Sequence, residues 1–122
     1  MPTQLEETTT PAIASNAATV TSGLLTGFVM HIKLEVRTAA GAASSNTCTV
    51  TITDNVLART LLTATGITGI SNHYQLQGQA KDAAGAAITG VYVPFFLANQ
   101  RVTVAVTSGT NTDYVKAFIL VL

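Results

Sequence analysis

Apolar residues recur at every second position along several stretches of this chain, and the three-to-four spacing of an amphipathic helix is not seen over three turns anywhere. The clearest stretch is residues 28–37. Phe28, Met30, Ile32, Leu34 and Val36 fall on one side, and His31, Lys33, Glu35 and Arg37 on the other, which predicts a strand with one buried and one wet face. Residues 47–53 place Cys48, Val50 and Ile52 inward and a row of threonines outward, a β-branched pattern suited to a pleated surface. Residues 101–107 turn Val102, Val104 and Val106 inward in the same way. The last stretch, 114–122, is apolar on both sides: Val115, Ala117, Ile119 and Val121 share one face, and Tyr114, Phe118, Leu120 and Leu122 the other, interrupted by Lys116. Such a strand is central in the fold, covered by another chain, or both.

Weaker strand signals lie at 17–21, at 56–63, at 73–79 with Tyr74 and Leu76, and at 91–97, where Pro94 cannot donate to a ladder and marks a sheet edge or bulge. Small and polar residues separate them at 39–46, 54–55, 66–72, 81–85 and 108–113. The expected fold is all-β: a single antiparallel β-sandwich, jelly-roll-like, of about eight strands over residues 17–122. Residues 1–16 are Thr-rich, carry Glu6, Glu7, Pro2 and Pro11, and show no periodicity, so they read as an extended N-terminal arm. An arm on a lone domain frays, which makes a neighbouring subunit its expected holder.

Charge sharpens the picture. Six Lys and Arg with six Asp and Glu among 122 residues give 10% charged and a net charge of zero, against roughly a quarter charged in an ordinary soluble domain. Little self-repulsion opposes association, so the surface is expected to meet protein as much as water. The basic residues Lys33, Arg37, Arg59, Lys81, Arg101 and Lys116 are scattered, whereas nucleic-acid binding needs a concentrated patch. The opening residues lack the basic-then-apolar pattern of an export signal, and no run approaches the roughly 18–20 apolar residues that span a bilayer. Neither nucleic acid nor membrane is an expected partner. A single cysteine, Cys48, cannot form an internal disulfide, and no Cys/His cluster has zinc spacing.

Catalytic candidates each meet a plainer explanation. The row His31, Lys33, Glu35, Arg37 suits an anion or a proton relay, but alternating charges on a strand are ordinarily its solvated face. A ligand role for His73, beside Tyr74 at a loop-to-strand junction, has no second acidic or histidine neighbour to support it. Cys48 with His31 or His73 as base would make a nucleophile, yet its setting between Thr47 and Thr49 suits a small buried hydrophobe. Asp54, Asp82 and Asp113 lie in turns, where Asp caps its own backbone. Gly66 and Gly69 lack the Lys-Ser/Thr ending of a phosphate cradle. No enzymatic activity, cofactor, metal or small-molecule substrate is therefore expected. Phe95-Phe96 beside Pro94 is the one dense aromatic patch; one ring must point away from the other and either anchors a partner or bridges core and bulge.

A short Thr/Ala/Gly/Val-rich sandwich with an extended leading segment, little charge and an apolar last strand resembles the small jelly-roll cement, or decoration, proteins of tailed-bacteriophage capsids. The stretches at 47–54, 93–97 and 101–106 carry the resemblance. It implies a virion protein, made in the host cytoplasm, that sits on the outer capsid surface, bridges neighbouring major capsid subunits and forms a homodimer or trimer. On that reading Leu5, Pro11 and Ile13 of the arm lie along capsid protein, and Phe95, Phe96, Tyr114, Phe118, Leu120 and Leu122 make the oligomer or capsid contact. A tail, collar or fibre module and a carbohydrate-binding adhesin domain are the alternatives, the missing Trp counting against the second.

Overall fold

The alternation becomes two antiparallel sheets that share one core. The computed structural model describes residues 3–75 and 78–122, among which eleven strands run in order: β1 (Gln4–Thr9), β2 (Ala18–Thr21), β3 (Leu25–Arg37), β4 (Cys48–Asp54), β5 (Thr60–Ile67), β6 (Asn72–Tyr74), β7 (Gly78–Lys81), β8 (Ala87–Val93), β9 (Phe96–Gln100), β10 (Val102–Thr107) and β11 (Tyr114–Val121). The first sheet has the order β1-β11-β3-β6, with β9 also on β3; the second is β2-β10-β4-β5.

The pairs are nested. β4 pairs β5, β3 pairs β6 and β9, β2 pairs β10, and β1 pairs β11. The chain thus forms one long antiparallel hairpin, and rolling that hairpin up adds the contacts of β11 with β3 and β10 with β4. This is the jelly-roll arrangement, two sheets made from one folded ribbon. The core lies between them: Ile32, Leu34, Ile119, Val115 and Val121 from the first sheet meet Val50, Ile52, Val102, Val104 and Leu61 from the second. Rigid β-branched side chains fill most of it, as a pleated surface buried on one side favours.

Several expectations change. The leading segment is extended, but it is not an arm reaching away from the domain. Gln4 to Thr9 pair residue for residue with Val121 to Lys116, and Ile13 is 3% exposed in the core, so the greater part of 1–16 belongs to the sandwich. The apolar inner face of β11 demanded a neighbour on its free side, and the chain's own start supplies it; β11 is thereby central. On β3, Val29 pairs Val121 while His31 pairs Leu120, leaving Met30 as the extra residue of a bulge. The side-chain alternation reverses there. Ile32, Leu34 and Val36 face the core as expected, whereas Phe28 and Met30 face outward.

The strand expected at 56–63 begins at Thr60, because Asp54 Oδ1 accepts from the backbone N–H of Val56 at 3.0 Å and of Leu57 at 2.7 Å and holds those residues in a turn. The stretch at 91–97 divides at Pro94 into the end of β8 and the start of β9. The stretch at 73–79 likewise divides between β6 and β7; Leu76 lies outside the described residues.

β6 and β9 lie end to end along the same edge of β3, β6 opposite Ile32 to Leu34 and β9 opposite Leu25 to Phe28. They act as one interrupted strand. Between its halves the chain makes the separate two-stranded ribbon β7–β8, where none of residues 81–90 is buried.

Candidate functional site

The outer side of the first sheet can be built from register alone. Opposite one another across β1, β11 and β3 stand Leu5, Leu120 and His31, then Glu7, Phe118 and Lys33; below them Thr9, Lys116 and Glu35 align, and Tyr114 faces Arg37. Beyond Lys33 the row ends in His73 of β6. At the upper end Leu122 and Phe28 exchange both backbone hydrogen bonds at 2.9 Å, and Phe28 meets Phe96 edge to face, ring centroids 5.1 Å apart. Leu5 is 63% exposed, and Leu122, Phe28, Met30 and Phe96 are each at least 40% exposed. The result is a run of apolar side chains from Leu5 through Leu120 and Leu122 to Phe28 and Phe96. Exposed apolar side chains are thus gathered on one side of this sheet rather than scattered over it.

Ion pairs tie down its lower half. Lys116 Nζ reaches Glu7 at 3.1 Å. Glu35 is held between Lys33 Nζ at 2.9 Å and the Arg37 guanidinium, which approaches Oε1 through both Nε and a terminal nitrogen at 2.9 Å. At 4% exposure Glu35 is not part of a solvated row as expected; it is a buried anion between two cations. Burial alone would raise its pKa, but the hydrogen bonds and charges of Lys33 and Arg37 outweigh burial and leave it below the ordinary value. Lys33 Nζ also stands 5.8 Å from the centre of the Phe118 ring. Charge of both signs is thus neutralised locally, and Phe118 lies between the pairs as an apolar island.

The expected contact residues divide. Leu5, Phe96 and Leu122 are exposed on this face, and Phe118 and Leu120 are half-buried in it; Tyr114 is half-buried at its lower end. Phe95 points the other way, packing on the core beneath the Arg59 guanidinium at 5.8 Å, so the Phe95-Phe96 pair both bridges to the core and presents one ring outward. Pro11 is exposed in the link between β1 and β2, while buried Ile13 offers nothing to a partner.

The ribbon is a second exposed element; its turn at 81–85 is legible in the sequence, but its second strand begins at Ala87 rather than in the stretch expected at 91–97. Its signal was the turn Asp82 to Ala86, in which Asp82 Oδ1 accepts from the N–H of Ala84 at 2.9 Å and of Ala86 at 3.0 Å, with Gly85 at φ +85° closing the turn. Tyr92 and Val93 are exposed on β8. A two-stranded ribbon alone is marginal in water, and these apolar side chains are what a partner would cover.

The other candidates are structural. Cys48 is buried, and burial with the nearby Asp113 charge pushes its thiol up to about 11, which removes the thiolate that nucleophilic chemistry requires. Asp54 caps its turn as expected and also receives Gln100 Nε2 at 2.9 Å and Arg59 Nε at 2.6 Å. Burial would raise its pKa, and the Leu57 N–H, the Arg59 side chain and the Val56 N–H together lower it. Asp113 differs from the expected self-capping residue: its Oδ2 accepts from Ser44 Oγ at 2.6 Å, fastening the 39–46 loop to the start of β11. His31 and His73, separated in sequence, come together, with Nε2 of the first 3.0 Å from Nδ1 of the second.

Comparison with protein-family models, with curated proteins and with solved structures finds no match to this chain.

Proposed function

We propose that the chain is a non-enzymatic structural protein of a virion that docks on the outer surface of a capsid, cements neighbouring major capsid subunits and stabilises the DNA-filled head. The observation that carries this reading is the exposed apolar run Leu5, Leu122, Phe28 and Phe96, with half-buried Leu120 among them, on the outer side of the first sheet. Its support is threefold: a chain with few charges to keep it dispersed, a jelly-roll sandwich, and the exposed ribbon β7–β8 inserted in sequence between β6 and β9.

The physics of cementing is mass action. A ligand that binds only the assembled shell stabilises it by RT ln(1 + [L]/Kd), and many copies on a symmetric lattice multiply a modest contact. The leading segment cannot serve as a free capsid strap, since Gln4 to Thr9 are already paired to β11; the sheet face and the ribbon take over that role. Copy number in purified particles, by quantitative mass spectrometry, tests the assignment. Hundreds of copies per particle are expected of a cement protein, whereas a handful would transfer the chain to a tail, collar or fibre.

A further inference from the structure

We propose that His31 and His73 form a two-imidazole chelate for a late first-row divalent ion, of the copper(II) or nickel(II) kind. The pair sits on the outer face where β6 meets β3, on side chains that are half-buried and exposed. His31 Nε2 and His73 Nδ1 are 3.0 Å apart, their ring centres 5.2 Å apart and their planes inclined at 46°. In the metal-free pair one nitrogen donates its proton to the other; on metal binding that proton moves to the second nitrogen of its own ring, and the rings turn so that both facing lone pairs point at the ion.

The spacing suits a cis pair of ligands. An ion about 2.05 Å from each imidazole nitrogen, with the nitrogens held at this separation, subtends about 94°. That is the cis angle of square-planar or octahedral coordination, preferred by copper(II) and nickel(II), and it is well short of the tetrahedral angle that zinc prefers. Imidazole suits these ions chemically, and the remaining positions are open to water on the exposed side. The nearby cation, Lys33, is engaged by Glu35 at 2.9 Å, which offsets its repulsion of a metal. No group of three or more His, Cys, Asp or Glu side chains gathers to hold a metal among the described residues, so this site is a two-point clasp. Its effect is to pin the three-residue strand β6 to β3, and with it one root of the β7–β8 ribbon. The inference is independent of the capsid assignment.

Isothermal titration of the tag-free full chain with nickel(II) at pH 7.5 tests it, alongside His31→Gln and His73→Gln. One ion per chain is expected, with affinity falling at least tenfold in each variant, because the second imidazole binds at high effective concentration. A smaller loss in either folded variant, or no binding by the wild-type chain at 1 mM nickel, overturns the proposal. Electron paramagnetic resonance of the copper(II)-loaded wild type gives an answer that does not depend on the variants: coupling to two nitrogens supports the clasp, and coupling to one or none refutes it.

Discussion

A Cβ at Gly27 would lie 2.8 Å from the carbonyl oxygen of Leu122 and 2.9 Å from Val121 Cγ1. The last strand therefore closes against the backbone of β3 at a point that only glycine leaves open, and the residue's φ of +130° adds a second reason. Gly27→Ala is expected to cost about 2–4 kcal/mol by urea unfolding, combining overpacking with backbone strain. Stability within half a kcal/mol of wild type would show that β11 does not approach β3 this closely.

Asp54 and Glu35 set the acid limit of the fold. Both carboxylates have folded-state pKa values below their ordinary ones, so the unfolded chain binds more protons as pH falls. Their contribution is complete above the unfolded values and is lost progressively below about pH 4.5. Asp54→Asn should cost about 2–4 kcal/mol at neutral pH, since Arg59 and the turn lose their charged acceptor. The same substitution should flatten the acid limb of a Tm-against-pH curve; an unchanged slope would contradict the assigned role.

Thr8 offers a test in the stabilising direction. Its hydroxyl is buried with no hydrogen-bond partner among the described residues, on a residue that pairs with Ala117 in the sheet. Thr8→Val keeps the shape and removes the unpaired group, so a gain of about 1 kcal/mol is expected in thermal or urea unfolding. A loss of that size would mean that the hydroxyl has a partner in solution.

The proposed docking face and the core make opposite demands on substitutions. Leu5→Glu together with Phe96→Ser should cost about 1–2 kcal/mol and leave the fold intact, because Leu5 is largely exposed and Phe96 gives up partial burial and its edge-to-face contact with Phe28. The pair should nevertheless reduce capsid retention in a co-sedimentation assay at least tenfold. Removal of residues 1–16, by contrast, should unfold the domain, since it strips an edge strand from β11 and Ile13 from the core.

Much of this architecture was legible in the spacing of apolar residues. β4, β10 and β11 match their periodicity because each has a continuous inner row, Val50 and Ile52 or Val102, Val104 and Val106, for the other sheet to cover. What failed was long-range or local to a bulge. Nothing in Thr3 to Thr9 announces a strand, because its partner is more than a hundred residues away and one side of it is polar. Phe28 and Met30 were placed on the wrong side because periodicity cannot register one extra residue at Met30. The proximity of His31 and His73, likewise, depends on β6 meeting β3 and has no sequence signature. The second apolar row of β11 is legible in the sequence; that it lies half-buried on the outer face between β1 and β3 is not.

The central claim is that this outer face is covered by protein in the working assembly. Hydroxyl-radical footprinting of the free chain and of the chain in purified virions measures that coverage side chain by side chain. Leu5, Leu122, Phe28 and Phe96 should be strongly labelled in the free chain, half-buried Leu120 more weakly, and all five protected in the particle, while exposed Val56 and Leu57 at the β4–β5 turn remain labelled in both. Equal labelling of the five in both states would contradict the account.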